Sequence, residues 1–197
     1  MECNVFGSIC YFFLKKHEEH FYFQFELHIN DGLLEGSITG MKNPQGRLKM
    51  SNFDSEILTQ FLDDDRLKFS GLIFGEVWFQ LIDDNFDIDT DIALKKGTYM
   101  QETFDEMNLS GLYRNNIFHI DDISMTRKGE MGLQAAGIIP IKNNGKGHSK
   151  ISLSSSFSNL SLSLVHRFIP KFFDIGGKGT GSINLKGTLE KTEFNYN

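Results

Sequence analysis

The sequence predicts a mostly β protein, one curved and repetitive antiparallel sheet carrying two short α-helices. Three observations predict it: strict two-residue alternation of apolar and polar side chains, turn-forming residues between the alternating runs, and a gapless internal repeat. The 19 Phe and 19 Gly, against 3 Pro and 1 Trp, point the same way. Aromatic side chains suit a pleated surface, and glycine suits its bends.

Alternation is clearest where Phe21, Phe23, Phe25, Leu27 and Ile29 interleave with Tyr22, Gln24, Glu26, His28 and Asn30. Successive side chains of a strand point to opposite faces, so this segment has one apolar and one wetted face. The pattern returns in Phe86, Ile88, Thr90, Ile92 and Leu94 against Asp87, Asp89 and Asp91. It recurs in Leu133, Ala135, Gly137 and Ile139, and around Ile151 and Leu153 with serines on the wet side. Antiparallel strands solvated on one side read this way, whereas buried parallel strands are apolar on both.

Turn signals separate the runs: Asn30-Asp31-Gly32, Asn43-Pro44-Gln45-Gly46, Asp83-Asp84-Asn85, Lys128-Gly129 and Asn143-Asn144-Gly145. A meander of hairpins follows. Helical spacing occurs twice. Ile57, Leu58, Phe61 and Leu62 follow the candidate caps Asn52 and Asp54, and Leu164, Val165, Phe168 and Ile169 stop before Pro170.

Shifting the chain on itself by 106 residues places Gly71 on Gly177, Gly75 on Gly181, Val77 on Ile183 and Phe79 on Leu185. Leu58, Leu62 and Leu67 fall on Leu164, Phe168 and Phe173. Each copy leads a short amphipathic helix into a Gly-x-x-x-Gly strand. The chain is therefore expected to be a single continuous sheet segment of two approximate repeats, 1–106 and 107–197, the second incomplete, cut from a longer array.

Composition excludes some functions. At 197 residues the chain can bury a core without disulfides or a metal. A net charge of −6 lacks the basic excess that a nucleic-acid backbone demands, and it opposes docking on anionic head groups. The apolar run Val5–Leu14 is too short for a spanning helix, which needs about 20 residues. Its charges, Lys15 and Lys16, follow rather than precede it, the reverse of a signal peptide. It reads as a strand, and no membrane anchor or export signal is expected in the chain. Cys3 and Cys10 would lie on opposite faces of such a strand, which disfavours a disulfide or a metal pair.

No chemical constellation meets its own requirements. His17-Glu18-Glu19-His20 lacks the i, i+4 histidines of a zinc-protease helix and reads as a charged hairpin tip. Gly176-Gly177-Lys178-Gly179-Thr180-Gly181 runs into an alternating strand, not the helix a phosphate loop needs. Asp83, Asp84, Asp87, Asp89 and Asp91 offer oxygen ligands for calcium, yet the last three occupy the wet face of a strand. Ser154, Ser155 and Ser156 stand in no triad spacing, and no Gly-x-Ser-x-Gly elbow is present. The chain is expected to be no enzyme, with no metal and no cofactor.

What remains is a long apolar surface. Its expected lining is Phe21, Phe23, Phe25, Leu27, Val77, Phe79, Phe86, Ile88, Ile92, Leu133, Ile183 and Leu185. Such a surface forms the core of a closed two-layer sandwich or lines an open trough that holds lipid tails. Strand order in the sequence does not decide between them.

Several segments resemble a known family. Leu109-Ser110-Gly111-Leu112-Tyr113, then Ile117, His119 and Ile123, lead into the stretch Gly132 to Ile141; Leu160 to Pro170 and Gly176 to Phe194 follow. This succession is similar to the repeat of the TamB (translocation and assembly module) family of the AsmA-like group in Gram-negative bacteria. Phe53 to Ile92 matches it more loosely. Thr192 stands where the family commonly has proline, and the family's anchor and terminal region have no counterpart here. The resemblance implies a taco-shaped sheet with an apolar inner groove, set among adjacent repeats of a longer periplasmic protein anchored in the inner membrane. It implies phospholipid acyl chains as cargo moving toward the outer membrane, or alternatively a scaffold that helps assemble outer-membrane β-barrel proteins.

Overall fold

The computed structural model describes residues 2–5, 8–17, 20–40, 42–59, 69–83, 85–99, 102–128, 131–141, 150–161, 177–188 and 192–196. Thirteen strands form one sheet in strict sequence order, every neighbouring pair antiparallel. They are β1 (Glu2–Val5), β2 (Ser8–His17), β3 (His20–Ile29), β4 (Gly32–Thr39), β5 (Gln45–Asp54), β6 (Phe69–Ile82) and β7 (Asn85–Tyr99). After these come β8 (Glu102–Arg114), β9 (Ile117–Arg127), β10 (Met131–Pro140), β11 (Lys150–Ser161), β12 (Lys178–Thr188) and β13 (Thr192–Tyr196). The sheet is open, since β1 and β13 are its two edges. An accessible surface of 13144 Å² agrees with this. A compact 22.5 kDa monomer would expose roughly 9,500 Å².

One helix is described, α1 (Ser55–Thr59), directly after β5. The backbone N–H of Glu56 donates to Asp54 Oδ1 at 2.9 Å, so Asp54 is the cap. Asn52 is not a cap. It has φ 54° inside β5, and its Nδ2 donates to the Asp31 carbonyl at 3.2 Å. The second expected helix, around Leu164 to Ile169, lies outside the described residues.

The expected single strand over Val5–Leu14 is corrected to a hairpin, with β1 ending at Val5 and β2 starting at Ser8. Cys3 and Cys10 are consequently register partners across β1 and β2. The opposite-face argument held only for one uninterrupted strand.

Register shifts interrupt the ladder between Met50 and Phe53, Ser70 and Leu72, Ser110 and Gly111, Ala135 and Gly137, and Phe157 and Leu160. An extra residue bends and twists its strand, and repeated across a sheet this produces curvature. Two of the shifts are copies. Met50 and Phe53 face Gly75 and Ile73, and Phe157 and Leu160 face Gly181 and Gly179. In each, an asparagine with positive φ, Asn52 or Asn159, is the inserted residue.

The buried core runs along the bulged ends of the strands. Met50, Phe53, Ile73, Leu94, Phe104, Met125, Met131 and Leu160 are its buried members, and Ile57 of α1 packs against them. The reverse face is polar and paired across strands. Lys49 Nζ lies 3.6 Å from Glu35, Arg114 Nε donates to Asp87 at 2.8 Å, and Ser154 donates to Asn184 at 2.8 Å. Such exposed pairs contribute only tenths of a kcal/mol each, so they set register more than stability.

Candidate functional site

Directly paired residues of antiparallel strands share a face, so the register defines rows of positions running across the sheet. One row is Cys10, Leu27, Leu34, Met50, Gly75, Ile92, Leu109, Ile123, Ala135, Ser155, Ile183 and Tyr196. The next is Phe12, Phe25, Gly36, Leu48, Val77, Thr90, Gly111, Ile120, Gly137, Leu153, Leu185 and Phe194. A third runs Leu14, Phe23, Ile38, Gly46, Phe79, Ile88, Tyr113, Phe118 and Ile139. No Asp, Glu, Lys or Arg stands in any of the three. At about 4.8 Å per strand the two longer rows extend over roughly 55 Å.

The register places all twelve expected lining residues on this one face. Leu27, Ile92 and Ile183 share the first row, Phe25, Val77 and Leu185 the second, and Phe23, Phe79 and Ile88 the third. Phe21 follows by alternation in β3, and Phe86 faces Leu81 at the start of β7. Leu133 joins the row Phe53, Ile73, Leu94, Met107, Met125, Leu133, Phe157, which coincides with the buried core.

Exposure therefore grades along the strands. Phe53, Ile73, Leu94 and Met125 of the core row are buried, and the row beside it is mostly half-buried. Toward the opposite strand ends the side chains open to solvent, with Leu14 65% and Phe86 51% exposed. Aromatic rings cover the gaps that glycines leave. A Cβ on Gly36 would strike the Phe25 ring, and one on Gly46 would strike the Phe79 ring. Phe23 lies 5.9 Å from Phe25 and 6.2 Å from Phe12, centroid to centroid, within the usual range for aromatic pairs.

Leu34, Ile38, Leu48, Leu109, Ile120, Ile123 and Leu153 share the face and were not among the expected lining residues. Their alternation is interrupted by glycines at Gly36, Gly46 and Gly111 and by the bulge at Asp121 and Asp122, which moves the period by one residue between Ile120 and Ile123. Reading apolar positions through glycines would have found the first four.

The aspartates of β7 lie on the other face, where Asp87 pairs with Arg114. His17 and His20 are register partners at the ends of β2 and β3, and Lys178 to Gly181 begin β12. Comparison with protein-family models, with curated proteins and with solved structures found no match to this chain.

Proposed function

We propose that this chain is a segment of a longer, periplasmic, inner-membrane-anchored protein of the TamB type. Its apolar face would be the wall of a groove that conducts phospholipids toward the outer membrane. The observation that carries the reading is the width of that face, with three adjacent rows that hold no Asp, Glu, Lys or Arg. A lipid tail gains about 0.8 kcal/mol per methylene removed from water. A wall of Phe, Leu and Ile supplies contact area with few directional groups, which suits cargo that must slide. No helix among the described residues is long and apolar enough to cross a membrane, so in this reading the anchor belongs to another part of the longer protein.

Native mass spectrometry of the purified chain tests the proposal. Phospholipid should copurify, and Leu14→Glu with Phe86→Glu should abolish it while leaving the fold intact, because both sites are exposed. Phe79→Glu with Leu185→Glu should block passage of lipid in a transfer assay. Folded double variants that carry or move lipid at the unsubstituted level would overturn the groove.

A second reading draws on one edge. β1 pairs with β2 only from Ser8 to Tyr11, and among the described residues no strand covers the outer side of Phe13 to His17. An uncovered edge accepts a strand from another chain, which is how a scaffold for β-barrel proteins would work. In that case Phe13→Lys on the uncovered segment would abolish function, and substitutions in the three apolar rows would not.

A further inference from the structure

The polar face holds a second feature, unrelated to the apolar rows. Trp78 of β6, the only tryptophan of the chain, is 50% exposed there. The Arg47 guanidinium lies 4.6 Å from its ring centroid, and Arg47 is itself ion-paired to Glu76. The indole is thus held against a cation that is itself ion-paired, with half its surface left to solvent.

Around it the register arranges planar polar groups. Asp89 is the direct cross-strand partner of Trp78, as Arg47 is on the other side. One step along, Gln45, Gln80 and Asp87 stand in a row across three strands, and Arg114 closes that row by its hydrogen bond to Asp87. These side chains line a shallow concavity of about 420 Å³. That volume falls in the range of small-molecule sites.

We propose that this concavity binds a linear oligosaccharide, one pyranose ring stacking on Trp78 and its hydroxyls engaging Asp89, Gln80 and Gln45. A pyranose with equatorial substituents has an apolar C–H face that fits an amphipathic indole, and a rim of hydroxyls that needs both donors and acceptors. Amide side chains supply both, and the carboxylates accept. The two arginines are balanced by Glu76 and Asp87, and Asp89 adds a negative charge, so the site has no positive excess to select an anion. The row Gln45, Gln80 and Asp87 runs straight across three strands beside Trp78, which favours an extended β-1,4-linked chain over a coiled α-1,4-linked one.

Because Trp78 is the only tryptophan, its emission reports this site directly. Titration of the intact chain with cellohexaose should give a saturable change in intensity or wavelength, and maltohexaose a weaker one. Asp89→Ala and Gln80→Ala, on an exposed face, should each weaken binding about tenfold with an unchanged circular dichroism spectrum. Emission that does not move with cellohexaose up to about 10 mM, where a millimolar site would be mostly filled, overturns the proposal. So does a response that both variants retain. The site lies on the face opposite the apolar rows, so neither result bears on the groove.

Discussion

Gly75 shows how single residues shape this sheet. Its φ of 123° is a conformation closed to L side chains, and a Cβ there would collide with the Asp91 carbonyl oxygen of the neighbouring strand. Gly137, at φ 151°, meets the Ser152 carbonyl in the same way. Gly75→Ala should therefore destabilise the chain by about 1–3 kcal/mol, measured by urea unfolding. A loss of a few tenths would show that the strands can separate to admit a methyl group. On the polar face, the hydrogen bond from Arg47 holds the Glu76 carboxyl below the ordinary carboxylate range, outweighing the opposite effect of desolvation. A depressed folded-state pKa adds stability above the unfolded pKa and loses it as pH falls through the folded value. The stability difference between the parent and Arg47→Ala should thus be largest near neutrality and shrink on acidification. A constant difference across that range would trace it to packing on Trp78 instead.

At the scale of elements, the β5–β6 and β11–β12 pairs reuse one device. The inserted asparagine brings Phe53 or Leu160 back onto the apolar face just before the strand ends, and both are 1% exposed. Without the insertion, the period of two would turn these side chains to the wet face. Asn52→Gly should be nearly neutral, whereas Asn52→Val should cost about 1–2 kcal/mol in thermal or chemical unfolding, because a β-branched residue resists positive φ. Phe53→Ala should cost about 3–5 kcal/mol by leaving a cavity. Equal stability of the Gly and Val variants would dismiss the bulge as the controlling feature. The alternating strands and most turns were legible in the sequence because period two and Asn-Asp-Gly chemistry are local. The β1–β2 hairpin was not, since Gly7 and Ser8 are the only punctuation inside an otherwise apolar run.

At the scale of the molecule, a single sheet in strand order is an extended object. Small-angle scattering should give a radius of gyration clearly above the roughly 16 Å of a compact chain of this length. A value at that figure would mean that the sheet closes on itself in solution. The sequence by itself determined the antiparallel class, the repetitive character of the sheet and the sidedness of the clearly alternating strands, because these depend on neighbours two residues apart or on glycines and turns. Only the tertiary structure decided that thirteen strands join one open sheet, that all twelve expected lining residues share its face, and that Leu133 belongs to the core row while Leu14 and Phe86 stand open. Those outcomes depend on cross-strand register, and register is set by bulges such as those at Asn52 and Asn159. One extra residue there changes which side chains meet without disturbing the local alternation that a sequence displays.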